Sequence, residues 1–134
     1  FNDRKDKDQF LYPSCGCVFK NDYSPEVSVP SGMLLESVGL LGYRVKNASV
    51  SHKHANFVFN QGASSREIIE LTLHMRECVW KTFGVWLDYE LEFLGQVPDD
   101  LQKLVFEKRT PQYRSEKLAK LRQSFATRKN KVGV

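Results

Sequence analysis

The segment from Ser64 to Gly84 constrains the fold of this 134-residue chain more than any other. Ser64 followed by Glu67 is a capping box: the serine side chain accepts a backbone N–H while the glutamate reaches back, so a helix starts there. Ile68, Leu71, Met75 and Val79 form one apolar row at helical spacing, with Ile69, Trp80 and Phe83 beside it, and Gly84 supplies the stop. A stripe that broad must be covered. The next residues, VWLDYELEFL from Val85 to Leu94, change period and alternate. Val85, Leu87, Tyr89, Leu91 and Phe93 point one way, and Trp86, Asp88, Glu90, Glu92 and Leu94 the other, which predicts a half-buried strand. A helix followed by an alternating strand predicts a chain that mixes both kinds of element.

The remainder fits that frame. Residues 1–9 are polar and charge-mixed and read as a lead-in. In FLYPSCGCVFKN, Pro13, Ser14 and Gly16 predict a turn that holds Cys17 at the entrance of a strand. Residues 22–30 contain two prolines and read as a loop. Met33, Leu34, Leu35 and Val38 predict a short helix ending at Gly39. YRV, ASV and NFVFN, between Tyr43 and Asn60, are β-favouring pieces. Past Gly95 the pattern becomes helical and charged, with helices expected over 98–109 and 111–130, the second carrying Leu118, Leu121 and Phe125 in one row. The expected organisation is a lead-in over 1–9, a domain over 10–95 and a basic helical extension over 96–134.

Charge separates these parts. Residues 1–95 hold 10 Lys/Arg against 12 Asp/Glu, a balance of −2, and residues 96–134 hold 10 against 4, a balance of +6. The extension is therefore suited to an anionic partner, although a solvated basic helix has the same composition. No apolar run approaches the roughly 20 residues of a membrane span, and no signal peptide is visible. The three cysteines, an odd number without a secretory signal, argue for a reducing compartment. Cys15 and Cys17, with His52 and His54 the only nearby histidines, do not make the paired ligand spacing of a structural zinc site, and no metal is expected.

Four segments carry a family resemblance. PSCGCVFKN, SGMLLESVGLLGYRV, VSHKHANFVFN and FGVWLDYELEFLG, in that order over about residues 12–95, resemble motifs of the C-terminal, substrate-binding domain of MurB-type UDP-N-acetylenolpyruvoylglucosamine reductases. The resemblance implies the class α+β: a small mixed sheet with packed helices, to which the basic helical extension is added. It also implies an enzyme of two halves, the other of which binds FAD and is reduced by NADPH, with UDP-N-acetylglucosamine enolpyruvate as substrate. This chain alone is then expected to be inactive and to bind no cofactor.

By the same resemblance Cys17 stands where the family has the Ser or Cys that protonates the substrate carbon after hydride transfer. A thiol of pKa about 8.5 is a stronger acid than an alcohol and is still protonated at neutral pH, so the position suits a proton donor. Glu90 matches the family's essential carboxylate. Asn21 matches an asparagine facing the substrate diphosphate, with Lys20 before it, and His54 and Asn56 fall in the motif near the nucleotide. Without the motif Cys17 reads as a packing residue, Lys20 as a surface lysine and His54 as a structural hydrogen-bonding group. Asp22 departs from the proline usual after that asparagine, which adds negative charge beside a diphosphate contact.

Two functions stay open at this level. One is a cytoplasmic enzyme part that joins a flavin-binding half on the same or another chain. The other is a repurposed, non-catalytic domain serving as a structural or RNA-binding component of a large assembly such as a mitochondrial or other organellar ribosome, with Arg114, Lys117, Lys120 and Arg122 as the RNA-binding candidates. Neither involves a membrane.

Overall fold

A computed structural model describes residues 14–90 and 97–132. The elements run β1 (Ser14–Cys17), α1 (Ser31–Ser37), β2 (Arg44–Val45), β3 (Ala48–Val50), β4 (Phe57–Asn60), α2 (Ser65–Phe83), α3 (Asp99–Val105) and α4 (Ser115–Val132). The four strands form one sheet in the order β1-β4-β3-β2. Every described pairing is antiparallel, where the resemblance implies a mixed sheet. The reason is local: two residues join β2 to β3 and six join β3 to β4, too few for a parallel crossover.

β1 corrects the expected turn. Ser14 and Gly16 lie within the strand, and its register against β4 runs Ser14↔Phe59 and Cys17↔Phe57, so three steps on β1 meet two on β4. The extra residue is taken up as a bulge, which bends the strand and re-aims the residues after it. Pro13 lies outside the described residues.

α2 forms as its sequence predicts. Ser64 Oγ accepts the Glu67 N–H at 3.2 Å, while Glu67 Oε1 is buried with no hydrogen-bond partner, so the carboxylate half of the capping box is not made through that atom. Ile68, Ile69, Leu71, Met75 and Val79 are fully buried. Gly84 closes the helix in the left-handed region at φ 68°. A Cβ there would collide with the Gln112 carbonyl, because residues 112–114 run alongside the helix end. Gln112 N donates to Gly84 O and Arg114 N to Phe83 O, both at 2.9 Å.

That strap leads into α4, whose Leu118 is fully buried and Leu121 8% exposed in the same core as Val18, Leu34, Val58, Met75 and Val85. A second, smaller cluster joins Ile69 of α2 to Val97, Leu101 and Val105. α3 is shorter than the helix expected over 98–109, and its end has a visible cause. The buried Arg76 guanidinium donates to the carbonyls of Leu104 and Val105 and takes over the helix's last acceptors. Trp86 Nε1 then donates to the Glu107 carbonyl at 3.1 Å.

The strand expected over 85–94 is seen as an extended segment to Glu90, with residues 91–94 outside the described residues. It meets the chain after β1 through a Phe19↔Tyr89 bridge flanked by Lys20 N to Asp88 O (2.8 Å) and Glu90 N to Val18 O (2.9 Å). Alternation fails at Trp86, which was expected on the outer row but is 8% exposed. Arg76 lies 4.1 Å and Arg109 4.4 Å from its ring centroid, and Trp80 packs edge-on at 5.6 Å, so partners from α2 and from the chain beyond α3 cover that face.

Candidate functional site

The bulge in β1 and the Phe19↔Tyr89 bridge place Cys17 and Glu90 on adjoining segments. Cys17 is partly exposed, and Glu90 is exposed. Burial pushes the Cys17 thiol above its ordinary value, and the negative charge of Glu90 adds to the effect. Both act against the thiolate, which favours the protonated thiol and makes the side chain a poor nucleophile.

Asn56 holds the strand that presents Cys17. Its side chain is 3% exposed; Oδ1 accepts the Phe19 N–H at 3.0 Å and Nδ2 donates to the Phe19 carbonyl at 2.9 Å. The Asn56 backbone carbonyl accepts Val18 N–H at 2.9 Å. This residue, expected at the nucleotide, works as a clamp on the chain between Cys17 and Lys20. Asn21 is also engaged. Its Oδ1 accepts the N–H of Ser31, the first residue of α1, at 2.9 Å, and its Nδ2 faces the Tyr23 hydroxyl at 3.4 Å.

Lys20 is exposed, and among the described residues its ammonium has no ion-pair partner. With Asn21 it lines a cleft of about 420 Å³ whose other walls include Tyr23, Trp86, Lys108 and Arg109. Within it Lys108 pairs with Asp88 at 3.3 Å. Asp22, the departure from the usual proline, is used locally: it accepts the Ser24 N–H at 2.9 Å and the Tyr113 hydroxyl at 3.2 Å.

His54 is exposed beside the N-terminal end of α1. Its Nδ1 accepts the Asn56 N–H at 3.3 Å, and its ring sits 4.6 Å from that of Phe57. Gly32 allows this approach, since a Cβ there would come 3.0 Å from His54 Cε1. His54 lines a hollow with Pro30, Met33, Phe125 and Arg128, and Asn21 lines another with Tyr23, Val29, Pro30 and Phe125. Phe125 and Pro30 thus stand between the two. Lys108, Arg109, Phe125 and Arg128 all come from beyond the motif region, and no motif could have pointed to them. Of the proposed RNA contacts, Arg114, Lys117 and Lys120 lie at the surface, while Arg122 donates to the Glu26 carbonyl. Among the described residues no three His, Cys, Asp or Glu side chains gather as metal ligands, and no described helix is long and apolar enough to cross a membrane.

Residues 7–94 match the family model of the UDP-N-acetylenolpyruvoylglucosamine reductase C-terminal domain, MurB_C. The chain belongs to this family. Among its relatives, the UDP-N-acetylenolpyruvoylglucosamine reductase of Synechococcus sp. (strain JA-3-3Ab) is 41% identical over 101 residues, covering 75% of this chain and 31% of the relative. That of Caldicellulosiruptor saccharolyticus is 42% identical over 94 residues, covering 69% and 29%. A crystal structure of UDP-N-acetylenolpyruvylglucosamine reductase (MurB) from Thermus caldophilus aligns with 59% of this chain and 26% of its own, at 34% identity and a TM-score of 0.49. The MurB C-terminal domain here spans about a third of the length of the curated relatives it matches. The matched residues end before α3 and α4.

Proposed function

We propose that this chain is the substrate-binding, proton-donating part of a UDP-N-acetylenolpyruvoylglucosamine reductase and works in the cytoplasm with a flavin-binding part on the same or another chain. The observation that carries the reading is the geometry that sets Cys17, partly exposed at the bulge of β1, and Glu90 on two segments joined by the Phe19↔Tyr89 bridge and the Glu90 N to Val18 O bond. FAD reduced by NADPH would supply the hydride in the complete enzyme, and no residue of this chain is assigned to hold either group. Hydride addition to an enolpyruvyl double bond leaves negative charge on the neighbouring carbon, which must take up a proton. Cys17 donates it. The thiolate left behind faces Glu90 and a partly buried setting, both of which favour taking a proton back from solvent. Lys20, free to turn toward the cleft, complements the substrate diphosphate. Asn21 orders the loop next to it, His54 borders the nucleotide side, and Asn56 acts by fixing the backbone after Cys17.

The test joins the full chain to the flavin-binding part of the Synechococcus relative and follows NADPH oxidation with UDP-N-acetylglucosamine enolpyruvate. Turnover should appear only with both parts, survive Cys17→Ser and fall about a hundredfold or more in Cys17→Ala, as for loss of a general acid. Equal turnover of the alanine variant and the parent, or no turnover from a complex that does assemble, rejects the proposal.

A further inference from the structure

α4 shows two kinds of surface. Leu118, Leu121 and Phe125 turn to the core, while Lys117, Lys120, Ser124 and Thr127 are exposed on its flank and outer side. Lys120, Ser124, Thr127 and Arg128 line one open groove on this helix. Three other cations of the C-terminal part are already paired: Arg109 with Glu77 and Glu107, Lys108 with Asp88, and Arg128 with Glu36. Lys117 and Lys120 have no ion-pair partner among the described residues. From Lys108 to the end the chain holds 9 Lys/Arg and a single acid, Glu116, and the carboxylate of Glu36 in α1 engages Arg128 rather than Lys117 or Lys120.

We infer that this stripe of α4 docks onto the phosphate backbone of a single-stranded RNA, independently of the Cys17–Glu90 site. Charge complementarity favours a polyanion over an apolar partner, because the outer face presents cations and hydroxyls while its apolar side chains are spent on the core. From Lys117 to Thr127 the stripe runs about 15 Å, enough to follow several consecutive phosphates. Lysines supply point charges to phosphate oxygens, and Ser124 and Thr127 supply hydroxyl donors, a mixture that positions a backbone and reads no sequence. Of the residues expected from sequence, Lys117 and Lys120 carry this surface, and Arg122 is turned away to Glu26.

The experiment measures fluorescence anisotropy of a labelled uridine homopolymer with the full chain over a range of salt concentrations. Binding should weaken linearly in log–log form with salt. Lys117→Gln with Lys120→Gln should flatten that slope by about 1.4, at about 0.7 for each phosphate of a single strand no longer neutralised, and weaken binding about tenfold or more at low salt. A second pair, Lys46→Gln with Lys81→Gln, removes equal charge from exposed positions elsewhere and should leave slope and affinity near those of the parent. Unchanged thermal melts for both pairs exclude misfolding as the cause. The inference is overturned if the full chain does not bind at low salt, in which case a protein or solvent faces the stripe. It is also overturned if binding ignores salt, or if the two double variants behave alike.

Discussion

Leu118→Ala measures whether α4 is an appendage or part of the domain. Leu118 is fully buried and belongs to the cluster that holds Phe83, Val85 and Met75. Alanine removes three carbons, worth about 2.4 kcal/mol at about 0.8 each, before any cavity term. Because the site is walled by α2 and by the end of the Gly84 turn, it collapses only partly, and the total should reach about 3 kcal/mol. That is a large share of the roughly 5–15 kcal/mol that holds a domain together. Urea denaturation monitored by tryptophan fluorescence suits the question, since Trp80 and Trp86 report on α2 and the segment after it rather than on α4 itself. The midpoint should fall by about 1–3 M at ordinary urea slopes. Leu104→Ala, at a position 48% exposed on α3, should stay within about 0.5 kcal/mol of the parent. A tryptophan transition unmoved by Leu118→Ala, with only helical signal disappearing at low urea, would refute the reasoning and make α4 a separately melting extension.

The same geometry sets three further outcomes. Gly84→Ala should destabilise by at least about 2 kcal/mol, from the left-handed backbone and the collision with the Gln112 carbonyl, and a melting temperature equal to that of the parent would show that the strap can move aside. Asn56→Ala should lower stability by about 2–4 kcal/mol by leaving the Phe19 N–H and carbonyl unpaired; an unchanged denaturation curve would mean that the clamp is dispensable. Glu90→Gln removes a charge that raises the Cys17 thiol, so the iodoacetamide alkylation of Cys17 should set in at lower pH than in the parent, measured in a Cys15→Ser, Cys78→Ser background that leaves Cys17 as the single thiol. Burial stays, so the shift is partial, and an unmoved pH profile would separate Cys17 from Glu90.

Local chemistry made part of this legible in advance. The Ser64 cap, the apolar row of α2 and the Gly84 stop are short-range signals, and each is where the sequence puts it. The motif residues Cys17 and Glu90 fall on adjoining segments because both segments have strand-like patterns and bridge to each other at Phe19 and Tyr89. What did not show was anything decided by a partner far along the chain. Trp86 has the spacing of an outer residue, and only the arrival of Arg76 and Arg109 buries it. Asn56 has the residue type of a ligand contact, yet the backbone of Phe19 takes both ends of its amide. In α4 the row of Leu118, Leu121 and Phe125 is legible as one apolar face of a basic helix, but that Leu118 and Leu121 belong to the core of the domain is not, because the strap at Gly84 delivers them there.

That strap also orders events during synthesis. Ile68, Met75 and Val79 are made long before the residues that help to cover the same core, and Leu118 and Leu121 cannot dock until the chain has passed Gly84 and turned back along it. At about 5–20 residues per second, the stretch from Gly84 to Phe125 takes about 2–8 s to make, and emergence from the ribosome adds a further delay. Throughout that interval the nascent domain carries a bare apolar surface where α4 will lie, which makes it a client for chaperones and a target for proteases until its last third has emerged.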